Sequence, residues 1–540
     1  MHVVDGFEII SQNRKGRNTM NSDFSQKIKS ARSAMTPIIA VETADNFATI
    51  NRIVGALSDK TPMVQHDLVR GWTSVCAEVD GKLVENQAGI EVMAEIKLSG
   101  KTQSNPVKSL EDARSLPGKR PEPYRPGSIL FVHNAHEFMK DIAFVQALLN
   151  LRDDFKRTMR TVILLGPSFT LPGQLMQHVE VIDDPLPSRE ELTAVVESFK
   201  QFKLDDAGKA RAVEAVQGLA GFPAEQALAS SSVKGENGNV EIDFDRLWDR
   251  KRKMVSDTPG LEFWGGKETF ADVVDYTEAV AFLRSVNKGR RPPSAIVLLD
   301  EGEQQAGGSR TDSSGVSQKM MGKLLSEMQD RKYRGQVHYG IPGCGKTLLA
   351  KAMAGDAGVP LIIFNLAEVE NSLVGESQAR LVAALKTIYA VSNGNPYFIM
   401  TSNDLSGIPS QLKARFAYGG VWMFDMPSRS GVVELFKFYL NRYGLGALES
   451  EIDSLDLDGW VPRDVEWCVA KAYDLNLTLA EAASRVVSYG KANQADVRAI
   501  QEQAHNRYLN ASAVGPYKLN APSTVSATGE LIGREIETNV

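Results

Sequence analysis

The run Gln336-Val337-His338-Tyr339-Gly340-Ile341-Pro342-Gly343-Cys344-Gly345-Lys346-Thr347-Leu348-Leu349 decides the fold of this 540-residue chain. Residues 340–347 match G-x-x-x-x-G-K-[ST], a loop that cradles phosphates. Its glycines let backbone N–H groups curl around a polyphosphate without Cβ clashes. Strand-like QVHY precedes the loop and helical TLLAKAMAG follows it, so the positive end of a helix faces the anion. Gly340, Pro342, Gly343, Cys344, Gly345, Lys346, Thr347 and Leu348 are the candidate nucleotide contacts. Lys346 is placed to neutralise β/γ-phosphate charge, and the Thr347 hydroxyl to bind Mg²⁺.

Upstream, Ile296-Val297-Leu298-Leu299-Asp300-Glu301 is an apolar strand ending in two carboxylates, the Walker B arrangement. Asp300 is assigned to the Mg²⁺ shell and Glu301 to general-base activation of water. PLIIFNLAE (360–368), NPYFIMTSND (395–404) and VWMFDMPS (421–428) are further buried-strand candidates, with a helix from about 376 to 391 between the first two. Strands alternating with helices predict a parallel α/β sheet. Residues 429–508 are expected as a helical lid. Residues 509–540 are expected as a polar, loosely attached tail.

The first half has the same rhythm. PIIAVET (37–43), SILFVHNAHEF (128–138) and TVILLGPS (161–168) are brief apolar runs ending in turn or polar residues. Residues 36–230 are therefore expected as an α/β unit with a helical tail. Residues 1–35 are expected as a weakly ordered extension, 99–127 as a loop or insertion, and 231–259 as a linker. Core 260–428 follows.

Composition narrows the function classes. With 43% hydrophobic and 24% charged residues, the chain is of globular type. Its net charge of −6, with no helix-turn-helix or stacked-aromatic motif, counts against a nucleic-acid partner. Three scattered cysteines make neither a disulfide framework nor a zinc site. His133, His136 and His178 lack metal-site spacing. The basic run 249–253 is expected as a solvated helix face. No apolar run approaches the roughly 18–20 residues that span a bilayer. The N-terminal residues lack a signal-peptide pattern, so a cytoplasmic location without membrane contact is expected.

Residues 260–490 resemble an AAA+ ATPase module close to the AAA clade. SLVGESQARLVAALKTI (372–388) resembles that clade's pore-loop-and-helix segment. YFIMTSND (397–404) resembles its sensor 1 strand, with Asn403 positioning the hydrolytic water. IPSQLKARFAYGG (408–420) resembles its arginine-finger segment, with Arg415 reaching a neighbouring subunit's γ-phosphate. LDGWVPRDVEWCVAKA (457–472) resembles the sensor 2 helix, with Arg463 as the contact. FADVVDYTEAVAFL (270–283) resembles the stretch whose backbone, at Val273 and Val274, lines the adenine pocket.

Two departures matter. Asp300-Glu301 precedes the Gly340 loop, whereas in the family the loop comes first; the swapped order resembles a group in tailed phages and bacteria. Crossover rules allow the usual spatial order to persist, with the strands of Asp300 and Asn403 side by side. The pore-loop position carries Leu373-Val374 where an aromatic is often found. The first unit resembles the same fold in degenerate form, as in two-module AAA-like ATPases of plastids and bacteria, with Asn134 where the Walker B aspartate would stand, and implies no hydrolysis there. The fold class expected is α/β: a parallel-sheet P-loop NTPase module with a helical lid, preceded by a degenerate α/β AAA-like module with its own lid. The resemblance implies ATP and Mg²⁺, a homo-oligomer such as a hexameric ring, and remodelling of a protein or protein assembly. A nucleotide-gated scaffold with slow turnover, or a phage nucleic-acid motor or loader in the host cytoplasm, are the alternatives.

Overall fold

The computed structural model describes residues 22–58, 60–79, 82–96, 105–120, 126–234, 240–302, 316–370, 376–406 and 410–519. The chain divides between Lys251 and Arg252 into two units, each α/β.

The first unit contains strands β1 (Ile38–Glu42), β2 (Met63–Asp67), β3 (Gly71–Ser74), β4 (Cys76–Val79), β5 (Lys82–Glu85), β6 (Ile129–Val132), β7 (Thr161–Gly166) and β8 (Glu180–Asp183). The main sheet runs β3-β2-β6-β7-β1-β8, parallel except for β3, and β4 pairs with β5 as a separate hairpin. Continuous apolar runs such as Ile38–Val41 and Ile129–Val132 are required because helices cover both faces of a parallel sheet. Helix Ile142–Thr158 buries Phe144, Leu148, Leu151 and Phe155 at helical spacing against one face. Helix Ser22–Ser33 buries Phe24, Ile28 and Ala31 in the core on the other. Residues 22–33, expected within a weakly ordered extension, are thus part of the fold. Within the expected loop 99–127 a helix forms, Pro106–Asp112, because Asn105 caps it and Leu110 is buried.

Helices Arg189–Ser198, Asp206–Val216 and Gly221–Ser230 follow the sheet. Residues 231–259, expected as a linker, carry the hairpin β9 (Ser232–Lys234) and β10 (Val240–Ile242) and the helix Phe244–Ser256. Lys251 is not on a solvated face. It is buried, donates to the Glu214 carbonyl at 2.8 Å, and lies over the Trp248 ring.

The second unit contains β11 (Leu261–Trp264), β12 (Ala295–Leu299), β13 (Arg334–Gly340), β14 (Leu361–Phe364), β15 (Pro396–Ser402), β16 (Val421–Phe424) and β17 (Leu509–Asn510). The sheet runs β11-β14-β12-β15-β13-β16-β17 and is parallel except for β11. β12 lies beside β15, with Leu299 opposite Met400. The two units reach one arrangement by different routes. β2-β6-β7-β1-β8 and β14-β12-β15-β13-β16 are the same spatial series. The chain enters the first sheet at β1, but enters the matching strands of the second at β12, the counterpart of β6.

Helices Arg429–Arg442 and Pro462–Leu475 share a core of Val432, Leu435, Phe436, Val465, Cys468 and Val469. Residues 509–519 are not loosely attached. β17 extends the sheet beside β16, and buried Tyr517 donates to the Asp425 carboxylate.

Candidate nucleotide-binding site

The loop after β13 needs glycine for two reasons. Gly340, Gly343 and Gly345 have φ of +146°, +84° and +77°, values that L side chains rarely adopt. A Cβ on Gly340 would also lie 2.1 Å from the Phe424 carbonyl oxygen. Gly345 caps helix Lys346–Ala357, so the first N–H groups of that helix open onto the loop.

Lys346 is buried. Its Nζ donates to the Gly340 and Ile341 carbonyls, each at 2.9 Å, and to Asn403 Oδ1 at 2.6 Å. Thr347 Oγ1 donates to Asp300 Oδ1 at 2.8 Å, and Thr401 donates to the same carboxylate oxygen. The exposed Glu301 has φ of +50°, and its N–H donates to Thr401 Oγ1 at 3.0 Å. These groups meet because β15 lies between β12 and β13, so the carboxyl ends of three parallel strands open at one place. Asp300 and Thr347 supply the hard oxygens that Mg²⁺ prefers. Among the described residues no group of three or more His, Cys, Asp or Glu could hold a metal. Two such oxygens suit an ion that takes its remaining ligands from substrate phosphate and water.

Arg463 reaches the loop from the start of helix Pro462–Leu475. Its backbone N–H donates to the Gly343 carbonyl at 3.3 Å, and its guanidinium lies 5.1 Å from the Trp467 ring and 5.7 Å from the Tyr489 ring. Asp464 fixes this approach by accepting from the Val461 and Tyr489 N–H groups. Val273 packs on the core beside the loop, while Val274 packs on the lid cluster. Arg415 is not in this cluster; it ends helix Ser410–Arg415 and donates to Gln329. Leu373 and Val374 lie outside the described residues.

Burial pushes the Cys344 thiol up to about 12, which keeps it protonated and removes the thiolate that oxidation requires. His338, two residues before the loop, was absent from the sequence-based candidates. It is buried, and its Nδ1 lies 3.0 Å from the Lys346 carbonyl. The signal was a histidine inside an otherwise buried strand.

Among its described residues the first unit lacks this constellation. Only Thr43, Ala44 and Asp45 separate β1 from helix Asn46–Ala56. Asn134 was expected where Asp300 stands, but its φ of +51° matches Glu301, so His133 occupies the carboxylate position. His133 bonds Asn46 at 3.3 Å and Gln65 at 3.0 Å, and burial lowers its pKa. Ala224 follows Pro223 as Arg463 follows Pro462. Ser188 and Ser428 cap the first helix after each sheet, each between a proline and an arginine.

Residues 336–400 match the sequence model of the ATPase family associated with various cellular activities, AAA. That stretch of the chain is similar to an AAA ATPase domain. That match opens at β13 and closes within β15, so it holds the Gly340 loop. Ahead of that stretch, residues 24–183 match the model of the SpoVK-like AAA ATPase N-terminal domain, from the Phe24 helix to the end of β8. The chain is 21% identical over 393 residues to the uncharacterized AAA domain-containing protein ycf46 of Gracilaria tenuistipitata var. liui, covering 63% of this chain and 70% of that protein. It is 20% identical over 433 residues to the ycf46 protein of Guillardia theta, covering 70% and 79%. A 63-residue stretch is 49% identical to the ATP-dependent zinc metalloprotease FtsH of Mycoplasmoides gallisepticum, covering 12% of this chain and 8% of that one. No helix among the described residues is long and apolar enough to cross a membrane.

Proposed function

We propose that the chain is an ATP-hydrolysing AAA+ ring motor that remodels a protein or protein assembly. The observation that carries this reading is the convergence of Lys346, Thr347, Asp300 and Asn403 at the ends of three adjacent strands, with Arg463 over the loop. Lys346 and the helix start hold the β/γ-phosphates. Thr347 and Asp300 hold Mg²⁺, which when bound neutralises phosphate charge. Asn403 orients water and Glu301, at the solvent-facing end of β12, accepts its proton. Arg415, outside the cluster, is assigned to a neighbouring subunit's site, and an arginine finger in trans contributes several orders of magnitude in rate. Val273 and Val274, at the junction of core and lid, are assigned to the adenine.

The exchanged chain order is read as an exchange of two strand–helix blocks, supported by the first unit's unexchanged order. A nucleotide-gated scaffold is the second reading. It is favoured by the first unit, where His133, Asn46 and Gln65 fill the equivalent place and leave only a structural or partner-binding role. The test is steady-state ATP hydrolysis across protein concentrations, with Glu301→Gln and Arg415→Ala as comparisons. A motor with a shared site gives specific activity that rises with concentration and is lost in both variants. Tight nucleotide binding without turnover, with or without added unfolded protein, removes the motor reading in favour of the scaffold.

A further inference from the structure

Beneath the loop lies a buried polar chain to which the proposed chemistry assigns no role. Tyr397 OH is 3.0 Å from Gln336 Oε1, the Gln336 amide nitrogen is 2.6 Å from His338 Nε2, and His338 Nδ1 is 3.0 Å from the Lys346 carbonyl oxygen. All three side chains are fully buried. With the Gln336 amide nitrogen toward Nε2, as the structure places it, one proton arrangement satisfies every atom. The Lys346 carbonyl can only accept, so Nδ1 must carry the proton. Nε2 faces the donor end of the Gln336 amide and is therefore the acceptor, which makes the ring neutral. The Gln336 oxygen is left to accept from the phenol. A cationic or Nε2–H imidazole would set N–H against N–H beside the amide, or a lone pair against the Lys346 carbonyl.

We propose that His338 is a positioning residue for Lys346, bracing the two ends of the phosphate loop through this chain. The loop leaves β13 at Gly340 and returns at Lys346, so the bond from residue 338 to residue 346 closes it. Three glycines with positive φ give the loop freedom that binding must otherwise remove. The chain starts at Tyr397 on β15, and Asn403, immediately past that strand, holds Lys346 Nζ. Backbone and side chain of Lys346 are thus both referred to one strand. Burial holds the imidazole neutral, down to about 4, in keeping with the single arrangement.

The inference rests on the nucleotide-binding reading of the site, and two measurements on the full chain separate them. The first is the imidazole ¹⁵N spectrum of His338 at pH 7. A neutral ring with its proton on Nδ1 supports the brace, and an Nε2–H or cationic ring overturns it whether or not nucleotide binds. The second is Mg·ADP affinity by calorimetry for wild type, Lys346→Ala, His338→Leu and Tyr397→Phe. Loss of one buried neutral hydrogen bond predicts about fivefold weaker binding in His338→Leu and a smaller loss in Tyr397→Phe. A merely structural role lowers the melting temperature and leaves affinity at the wild-type value, which overturns the proposal. If His338→Leu does not fold, Tyr397→Phe carries the comparison. If wild type binds no nucleotide, the site reading falls and the spectrum alone judges the brace.

Discussion

Gly343 and Gly345 have similar left-handed backbones but different surroundings, and the contrast isolates the contact between lid and loop. An alanine at either position has positive φ, +84° or +77°, at a cost of about 1–2 kcal/mol. At Gly345 a Cβ meets nothing within 4 Å, so Gly345→Ala carries that cost alone. At Gly343 the new Cβ lies 3.1 Å from Val461 Cγ2 and 3.2 Å from both Arg463 Cβ and Nε. Val461 caps the helix Pro462–Leu475 and Arg463 lies in its first turn, so both must give by a few tenths of an ångström to admit the methyl group. Overpacking of this kind adds about 1–3 kcal/mol. Gly343→Ala is therefore expected to destabilise the second unit by about 2–5 kcal/mol and Gly345→Ala by about 1–2 kcal/mol. At about 2–4 °C per kcal/mol the two melting temperatures separate clearly. The assay is nucleotide-free unfolding by heat and by urea, with tryptophan emission as a second readout because Trp467 lies over Arg463. Gly343→Ala should change the native emission and Gly345→Ala should not. Equal destabilisation by the two, with unchanged emission in both, would refute the seating of Arg463 on the loop.

Three further outcomes are expected. Asn403→Ala removes the 2.6 Å acceptor of the Lys346 ammonium, a charge-assisted bond of about 1.5–3 kcal/mol, so hydrolysis should fall ten- to hundredfold, measured as phosphate release with folding checked by circular dichroism. His338 has a folded pKa of about 4 against an ordinary 6.5, so the unfolded chain binds the extra proton first and stability falls as pH drops from about 6.5 to 4. The stability difference between wild type and His338→Leu should shrink by about 3 kcal/mol across that window in urea titrations, and a constant difference would count against a neutral buried ring. Lys251 is lowered to about 7 by burial, with the nearby Glu214 charge opposing, so its burial disfavours the fold below an ordinary lysine pKa. The Glu214 carbonyl also accepts from the Gln217 N–H, so Lys251→Met strands no carbonyl, and the rise of wild-type stability between about pH 7 and pH 10 that the lowered lysine produces should be absent in the variant, read by thermal unfolding across that range.

Strands such as Ala295–Leu299 and Thr161–Gly166 were legible because burial on both faces demands unbroken apolar runs. Met63–Asp67 and Glu180–Asp183 were not, since polar letters at β2 and at the edge strand β8 break that pattern. Helix Ser22–Ser33 was hidden for a related reason: its burial rests on three residues spread through a polar stretch. Residues 509–519 looked like a tail because hydrogen bonding to an exposed sheet edge makes little demand on composition. Asn134 was misplaced by one position because strand ends are set by backbone geometry, not by residue type.

Local covalent chemistry was written in the sequence. A glycine loop with lysine and threonine, two carboxylates after an apolar run, and an asparagine after another each act through spacing along a few residues. Their meeting was expected only through the family resemblance and not from spacing, because Asp300, Lys346 and Asn403 are joined by the pairing of β12, β15 and β13. The buried run from Tyr397 to Lys346 is likewise tertiary. Gln336, His338 and Tyr397 are ordinary residues of two strands, and only their parallel pairing, with water excluded, forces them to satisfy one another.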